Sequence, residues 1–496
     1  MLPILSRERR ISAAGSAFLC HNARFRRRGD MASLSRQLAR WIVGLRYEDL
    51  PPEVVDRAQG VTLHALASVL IGSQTPAGRN AVKLVMEEEA GVRNGATIMV
   101  EGARATRAGA AFANSEMAFA GGKWDTFRML THPGTSIIPG AFAVAEGAGS
   151  SGRDYLTAIA AAYEVMERLA ADFIPTVMAR GFHASPVFGI FGPAVAAAKL
   201  LRFDEEKVNS TIALCASLAS GNLEGARSGG RALREGAAVR NAMLAVSLAG
   251  QGHVGGETVL EGDAGFYHAY AGNNRGALTY SFVGDTRASL EKITAGLGKE
   301  WIFLETLYRI YSTAGYNIAH IDVTAALCKE HDIRHENIER IEAVVNWLET
   351  QYPSPLFPSR REDLNRTPGS TAYHLAYAAV KRGFPILRGW GEDPKRNDDP
   401  PEVLDLLRRV TIIPSHTMTL FGPRITIFTK DGRSYTRQAT GREFIWDFEE
   451  EARRIRGVTS ALPILPDRFE EIITTCRDLE RAPRADKLVQ LTLKVV

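Results

Sequence analysis

Cysteine is scarce in this chain. Cys20, Cys215, Cys328 and Cys476 are spread through 496 residues with no CxxC and no Cys/His ligand spacing. That excludes a disulfide framework and a structural zinc, and it fits a reducing compartment in which the thiols are buried small hydrophobes. Long apolar runs are also missing: none approaches the roughly 20 residues that a membrane span needs, so a soluble protein with no membrane partner is expected. Excess charge is missing too, once its location is considered. The net charge is +4, but residues 1–30 hold seven arginines and two acids, which leaves −1 for the rest. A nucleic-acid binder carries its basic face in the folded part, so nucleic acid is excluded as a partner.

The Arg-rich first 30 residues resemble an organellar transit peptide or lie upstream of a start at Met31. Residues 1–30 are expected to be an extension outside the fold and the protein cytoplasmic, with a mitochondrial location only if that segment is a transit peptide. The length predicts two domains or one domain with a large insertion.

What is abundant is alanine at helical spacing. Leu38, Trp41, Ile42 and Leu45 mark a first helix, and Pro51-Pro52 open a second that carries Val54, Val55, Ala58, Val61 and Leu66. Residues 104–120, 138–147 and 155–173 repeat the texture, predicting an all-α bundle over about residues 33–275.

Between two of these helices lies KWDTFRMLTHPGTSIIPG, residues 123–140, which puts Asp125 and His132 in a turn-prone segment. Thr135 and Ser136 are expected to cap a helix starting near Ile137. The stretch RGFHASPVFGIFGPAVAAAKLL, residues 180–201, repeats the arrangement. His183 stands ahead of an expected N-cap at Ser185, with Pro186 at the first helical position and a helix running to Leu201. A Gly-rich loop at 225–236 holds Arg227, Arg231 and Arg234 before another helix. Three loop-to-helix junctions thus present two histidines and an arginine cluster beside positive helix ends. If they converge, they form a pocket for a small polyanion.

After residue 300 the texture changes. Ile341–Leu348 and Val410–Ile413 read as strands, and Ile425–Phe428 followed by Asp431-Gly432 reads as a hairpin. This predicts an α/β unit over 303–440, inserted like a lid into a helical domain made of residues 31–302 and 441–496. Within it, Arg309, Tyr311 and His320 surround a loop-to-helix transition, and Tyr373, His374 and Tyr377 share a second helix. The fold class expected is therefore mainly α, a large helical bundle carrying a smaller α/β lid.

At this point the chain resembles the MmgE/PrpD family, which includes 2-methylcitrate dehydratase, cis-aconitate decarboxylase and iminodisuccinate epimerase. The resemblance rests on Asp-Thr…His-Pro-Gly at 125–134, Gly-Phe-His…Val-Phe-Gly at 181–189, Leu-Glu-Gly…Gly-Phe at 260–266 and Ile-Asp-Val-Thr-Ala at 321–325. It implies a homodimer that uses no metal or organic cofactor, with Asp125, His132 and His183 as the active-site aspartate and histidines. Where the family has lysines, this chain has Arg231 and Arg309; a loop histidine becomes Arg234, and a lid tyrosine aligns near His374. Arginine binds carboxylates well but does not transfer protons, so these departures keep carboxylate recognition and point to a changed substrate.

The function expected is a cofactor-independent lyase, a dehydratase or decarboxylase, acting on a small di- or tricarboxylate. His183, or Asp125 acting with it, would be the base, and His132 the proton donor. Arg231, Arg234, Arg309, Tyr311 and His374 would hold the substrate. The alternatives are a dicarboxylate isomerase or epimerase, and a carboxylate-binding homologue without activity.

Overall fold

The computed structural model describes residues 32–227, 233–311, 313–357, 370–386 and 399–494. Its centre is the helix Pro52–Gly72, opened by proline at its first position and buried along nearly its whole length. An amphipathic helix shows one apolar stripe; this one is covered on every side. Its neighbours are Arg107–Ala120, Gly134–Ala148, Gly152–Ala170, Phe448–Ile455 and Pro466–Arg477. Small residues set the spacing. A Cβ on Gly72 would stand 1.7 Å from the Met117 carbonyl oxygen, and one on Gly121 would stand 1.9 Å from that of Ser68.

Pro139, inside one helix, and Pro193, in the first turn of another, each remove one amide donor and orphan the carbonyl four residues earlier. In both cases a serine donates in its place. Pro139 lies inside Gly134–Ala148, and Ser115 Oγ donates to the Thr135 carbonyl at 2.7 Å. Pro193 follows the break at Ile190, and Ser136 Oγ donates to the Gly189 carbonyl at 3.2 Å. The second case corrects the expected continuous helix from Ser185 to Leu201. The chain forms Ala184–Gly189 and Phe191–Leu200, and the N-cap is His183 rather than Ser185.

The helix expected to begin near Ile137 begins at Gly134 instead. Thr135 and Ser136 do not cap it, because both sit inside its first turn: the Thr135 hydroxyl turns back on the His132 carbonyl, and the Ser136 hydroxyl is shared between the Pro133 and Gly189 carbonyls. Asp125 takes the capping role from a distance, as described below.

The strands expected after residue 300 are present. Val410–Ser415, Ile338–Asn346, Arg424–Thr429 and Ser434–Gln438 form one sheet in that order, with a parallel first pair and antiparallel pairs after it. The last two are the hairpin anticipated at Asp431-Gly432, where Gly432 has φ +83°. The helices Asn317–Glu330 and Thr371–Lys381 pack on each other, the first also against the hairpin and the second against Val410–Ser415. Helix Pro466–Arg477 returns to the body against Pro52–Gly72. Among the described residues no helix is long and apolar enough to cross a membrane. Cys215, Cys328 and Cys476 are free and buried.

Because Gly72 abuts main chain rather than a flexible side chain, Gly72→Ala must push two helices apart. The substitution is expected to lower stability by about 1–3 kcal/mol, read as a fall in the urea midpoint; an unchanged midpoint would show that the contact yields.

Candidate active site

The site is assembled by a two-residue ladder. Asp125 and Thr126 pair antiparallel with Tyr308 and Leu307, and the Arg309 amide donates to the Trp124 carbonyl at 2.8 Å. The Tyr308 amide donates in turn to the Phe444 carbonyl at 2.9 Å. Segments far apart in the chain are thereby held side by side by main-chain bonds, which place Arg309 next to the 123–134 stretch.

Trp124, 2% exposed, is the platform at this junction. Its ring stacks on Phe119 with centroids 4.5 Å apart, and its Nε1 donates to the Phe119 carbonyl at 2.8 Å. His132 lies against it at 4.5 Å, and the Arg309 guanidinium sits 4.5 Å from the ring centroid. An aromatic face attracts a cation most strongly where water is excluded, as here. Arg309 also donates to the Thr313 carbonyl. Arg234 reaches the same platform from the other end, 5.5 Å from the Phe119 ring. His132 and Arg309 are thus brought together, and Arg234 joins them through stacked rings.

Asp125 is occupied otherwise. Its two carboxylate oxygens accept the Gly134 amide at 2.8 and 3.0 Å, and the Tyr163 hydroxyl donates to Oδ2 at 2.5 Å. It therefore caps the helix that follows His132, a carboxylate at a positive helix end. A Cβ on Gly134 would meet that oxygen at 2.7 Å and the Tyr163 hydroxyl at 2.8 Å, so glycine is required. Burial pushes the Asp125 carboxyl up, with Tyr163 and the Gly134 amide opposing it. The Asp125 carbonyl and the Thr126 hydroxyl both lie 3.3 Å from His132 Nδ1, which sets the ring's orientation. The connecting loop is strained: Arg128 and Leu130 have φ of +52° and +65°. Non-glycine residues so placed cost about 1–3 kcal/mol each and persist where surrounding structure demands them.

His183 is 2% exposed and caps Ala184–Gly189, its Nδ1 accepting from the Ser185 amide at 3.2 Å. Its own amide donates to the Gly221 carbonyl at 3.2 Å, tying it to the segment that leads toward Arg234. Arg231 lies outside the described residues. Arg234 is in the first turn of Leu233–Gly250, its Nε 3.6 Å from Glu235 Oε2. Nearby, Glu116 accepts the Gly236 amide at 3.0 Å; burial and the Glu235 carboxylate hold Glu116 well above the usual carboxylate range. Tyr311 and His374 meet at Phe384, with ring centroids at 5.8 and 5.1 Å. The Tyr311 hydroxyl donates to Asp322 at 2.6 Å, and His374 Nδ1 lies 2.7 Å from the Ser370 carbonyl.

Two features are silent in the sequence. His64, in the central helix, pairs through Nδ1 with Glu451 at 2.7 Å, and Trp446 Nε1 donates to the same carboxylate at 2.9 Å. Burial disfavours the charged imidazole, but the Glu451 carboxylate outweighs it and His64 is raised above its ordinary range. Lys123, 2% exposed, lines a small pocket with His64, Ser68, Trp124, Asp125 and Gly134. Burial, then the Arg309 guanidinium, pushes its amine down from 10.5 to about 7. No periodicity or motif distinguishes either residue; only the fold brings them to the platform. A larger surface cleft of about 850 Å³, beside Tyr47, Arg153 and Lys199, contains none of these residues. Among the described residues no cluster of three or more His, Cys, Asp or Glu could hold a metal ion.

Residues 36–278 match the MmgE/PrpD N-terminal domain. The chain belongs to the MmgE/PrpD family. Similar to it are a cis-aconitate decarboxylase-like protein of Aspergillus oryzae, 24% identical over 426 residues covering 81% of this chain and 85% of the relative, and the cis-aconitate decarboxylase of Aspergillus terreus, 25% identical over 429 residues covering 82% and 84%. The cis-aconitate decarboxylase of Homo sapiens is 27% identical over 284 residues, covering 55% of this chain and 58% of that protein. This family member carries its Asp-Thr…His-Pro-Gly stretch on the strand and helix start that surround Trp124.

The buried lysine makes stability depend on pH. An unfolded lysine titrates near 10.5 and the folded one near 7. Between those values the unfolded chain holds the extra proton, so stability rises with pH, and the penalty is fully present below 7. Lys123→Met removes the group. Its advantage over the parent protein is expected to be largest at about pH 6 and to shrink by roughly 1.4 kcal/mol for each pH unit climbed between the folded and unfolded titrations. Urea denaturation of both proteins across that range checks it; a constant difference would place the lysine in an ordinary environment.

Proposed function

We propose that this enzyme is a cofactor-independent lyase that decarboxylates a small unsaturated tricarboxylate of the cis-aconitate class. The observation that carries the reading is the convergence of a guanidinium, Arg309, and an imidazole, His132, on one buried aromatic platform. The names of the relatives support the substrate class. Arg309, with Arg234 and Arg231, holds carboxylates by charge-assisted bonds, and the field of these cations stabilises the enolate-like charge that develops as carbon dioxide leaves. His132 and His183 relay the one proton that the reacting carbon takes up. Asp125 works by orientation: it fixes the helix start and the loop that hold His132 and does not itself act as the base. Tyr311 and His374 close the far wall. In this reading residues 303–440 cover the site as a lid over the helical domain, and two copies form a homodimer.

The test is incubation of the purified protein with cis-aconitate and a panel of saturated and hydroxylated tricarboxylates in deuterated water. Release of carbon dioxide, with one solvent deuteron in the five-carbon product, is expected. Loss or gain of water without carbon dioxide would make the enzyme a dehydratase; deuterium exchange at an intact substrate would make it an isomerase. Tight binding without either would mean a binding homologue. His132→Gln is expected to lower kcat by about 10²–10⁴-fold, the range for loss of a proton-transfer group. Arg309→Lys, which keeps the charge but loses the planar fork, should act mainly through KM. A His132 variant with the parent's rate would remove that residue from the chemistry.

A further inference from the structure

We propose that Lys123 is a further catalytic residue of this site, the amine that delivers the proton to carbon after carbon dioxide leaves. The inference rests on the proposed decarboxylation and adds a residue to it.

The placement comes first. Lys123 directly precedes Trp124, the residue whose ring carries both His132 and Arg309. Its amide is fixed by the Ser68 hydroxyl at 3.1 Å, and its neighbours on the strand are locked by the pairing with Leu307 and Tyr308. The side chain is buried to the same 2% as Trp124, Asp125 and Arg309. A long, flexible side chain has been drawn into the interior beside the platform rather than released to solvent, which costs rotamer entropy and desolvation.

The charges around it decide what it can do there. Of the described cations near the platform, Arg309 and Arg234 keep their protons at all physiological pH values. Lys123, unlike these two guanidinium groups, can release its proton. Arg309 acts on it as a like charge, in surroundings poor in water. A like charge so close disfavours the ammonium. A carboxylate bound against Arg309 reverses the balance, so binding loads a proton onto Lys123 beside the substrate. The loaded ammonium then stands next to the carbon that becomes electron-rich.

The step balances without a co-reactant. The bond between the reacting carbon and one carboxylate breaks, and its electron pair stays on the carbon framework as an enolate-like anion held by Arg309. A proton passes from the Lys123 ammonium to carbon, leaving the neutral amine. Solvent returns one proton per turnover, matching the loss of one negative charge as neutral carbon dioxide.

The experiment compares the full-length parent protein with Lys123→Arg, which keeps the charge but cannot release a proton, and with Lys123→Gln in case a buried guanidinium prevents folding. With cis-aconitate as substrate, either variant is expected to lose at least about 100-fold in kcat with little change in KM, and the alkaline limb of the parent's kcat–pH profile should disappear. A residue that merely fills space would alter KM or stability and leave that limb in place. Retention of kcat and limb by both folded variants overturns the proposal while the decarboxylase reading stands. If the parent releases no carbon dioxide from cis-aconitate, that reading fails, and proton uptake on binding of tricarballylate, a saturated tricarboxylate, judges Lys123 alone. Uptake measured calorimetrically in two buffers and lost in the variants would keep the amine in the site; equal or absent uptake would remove it.

Discussion

Everything at the candidate active site depends on one short piece of main chain. The pairing of Asp125–Thr126 with Leu307–Tyr308, extended by the Arg309 amide on the Trp124 carbonyl, is the seam where the helical body meets the segment leading to the sheet. Two residues of strand would be marginal alone. Here the ladder is clamped on both flanks, by the helix that starts at Gly134 and by the Phe444 carbonyl. Side chains on locked strands and helix starts hold their positions better than those on free loops, which is what proton transfer and carboxylate recognition both require.

The electrostatics are arranged in layers around that seam. Cations lie at the platform, where Trp124 and Phe119 give the guanidinium groups an aromatic face in place of water. Carboxylates lie behind it: Asp125 under Tyr163 and Gly134, Glu451 under His64 and Trp446, and Glu116 beside Glu235. Asp125 and Glu451 are buried and committed to specific donors, whereas Glu235 lies 3.6 Å from Arg234 and offsets part of its charge.

Much of this was legible in the sequence, and the parts that were not share a cause. Helical spacing identified the bundle, and the β-branched runs with Asp431-Gly432 identified the sheet and its hairpin, because those signals are local and periodic. His132 and Arg309 stood out because a charge or an imidazole beside a turn needs a reason. Asp125 was legible as important but not in its role: capping a helix nine residues ahead depends on how the intervening loop closes, which takes positive φ at Arg128 and Leu130. His64 and Lys123 were silent, since a polar residue in a helix or after Gly-Gly carries no signature until tertiary packing removes its water. The break at Ile190 went unread because a proline early in a helix is tolerable when a distant serine serves the orphaned carbonyl.

The central helix also constrains how the chain is made. Pro52–Gly72 emerges early in synthesis, yet much of its cover comes from the other end. Phe448–Ile455 and Pro466–Arg477 lie along it, Gln59 donates to the Arg477 carbonyl at 2.7 Å, and Glu451 supplies the partner of His64. Until residue 477 has left the ribosome, an almost wholly buried helix has no complete shelter. The body therefore closes only after translation has passed that point, and through most of synthesis the nascent chain presents a surface suited to chaperones that grip exposed hydrophobic segments.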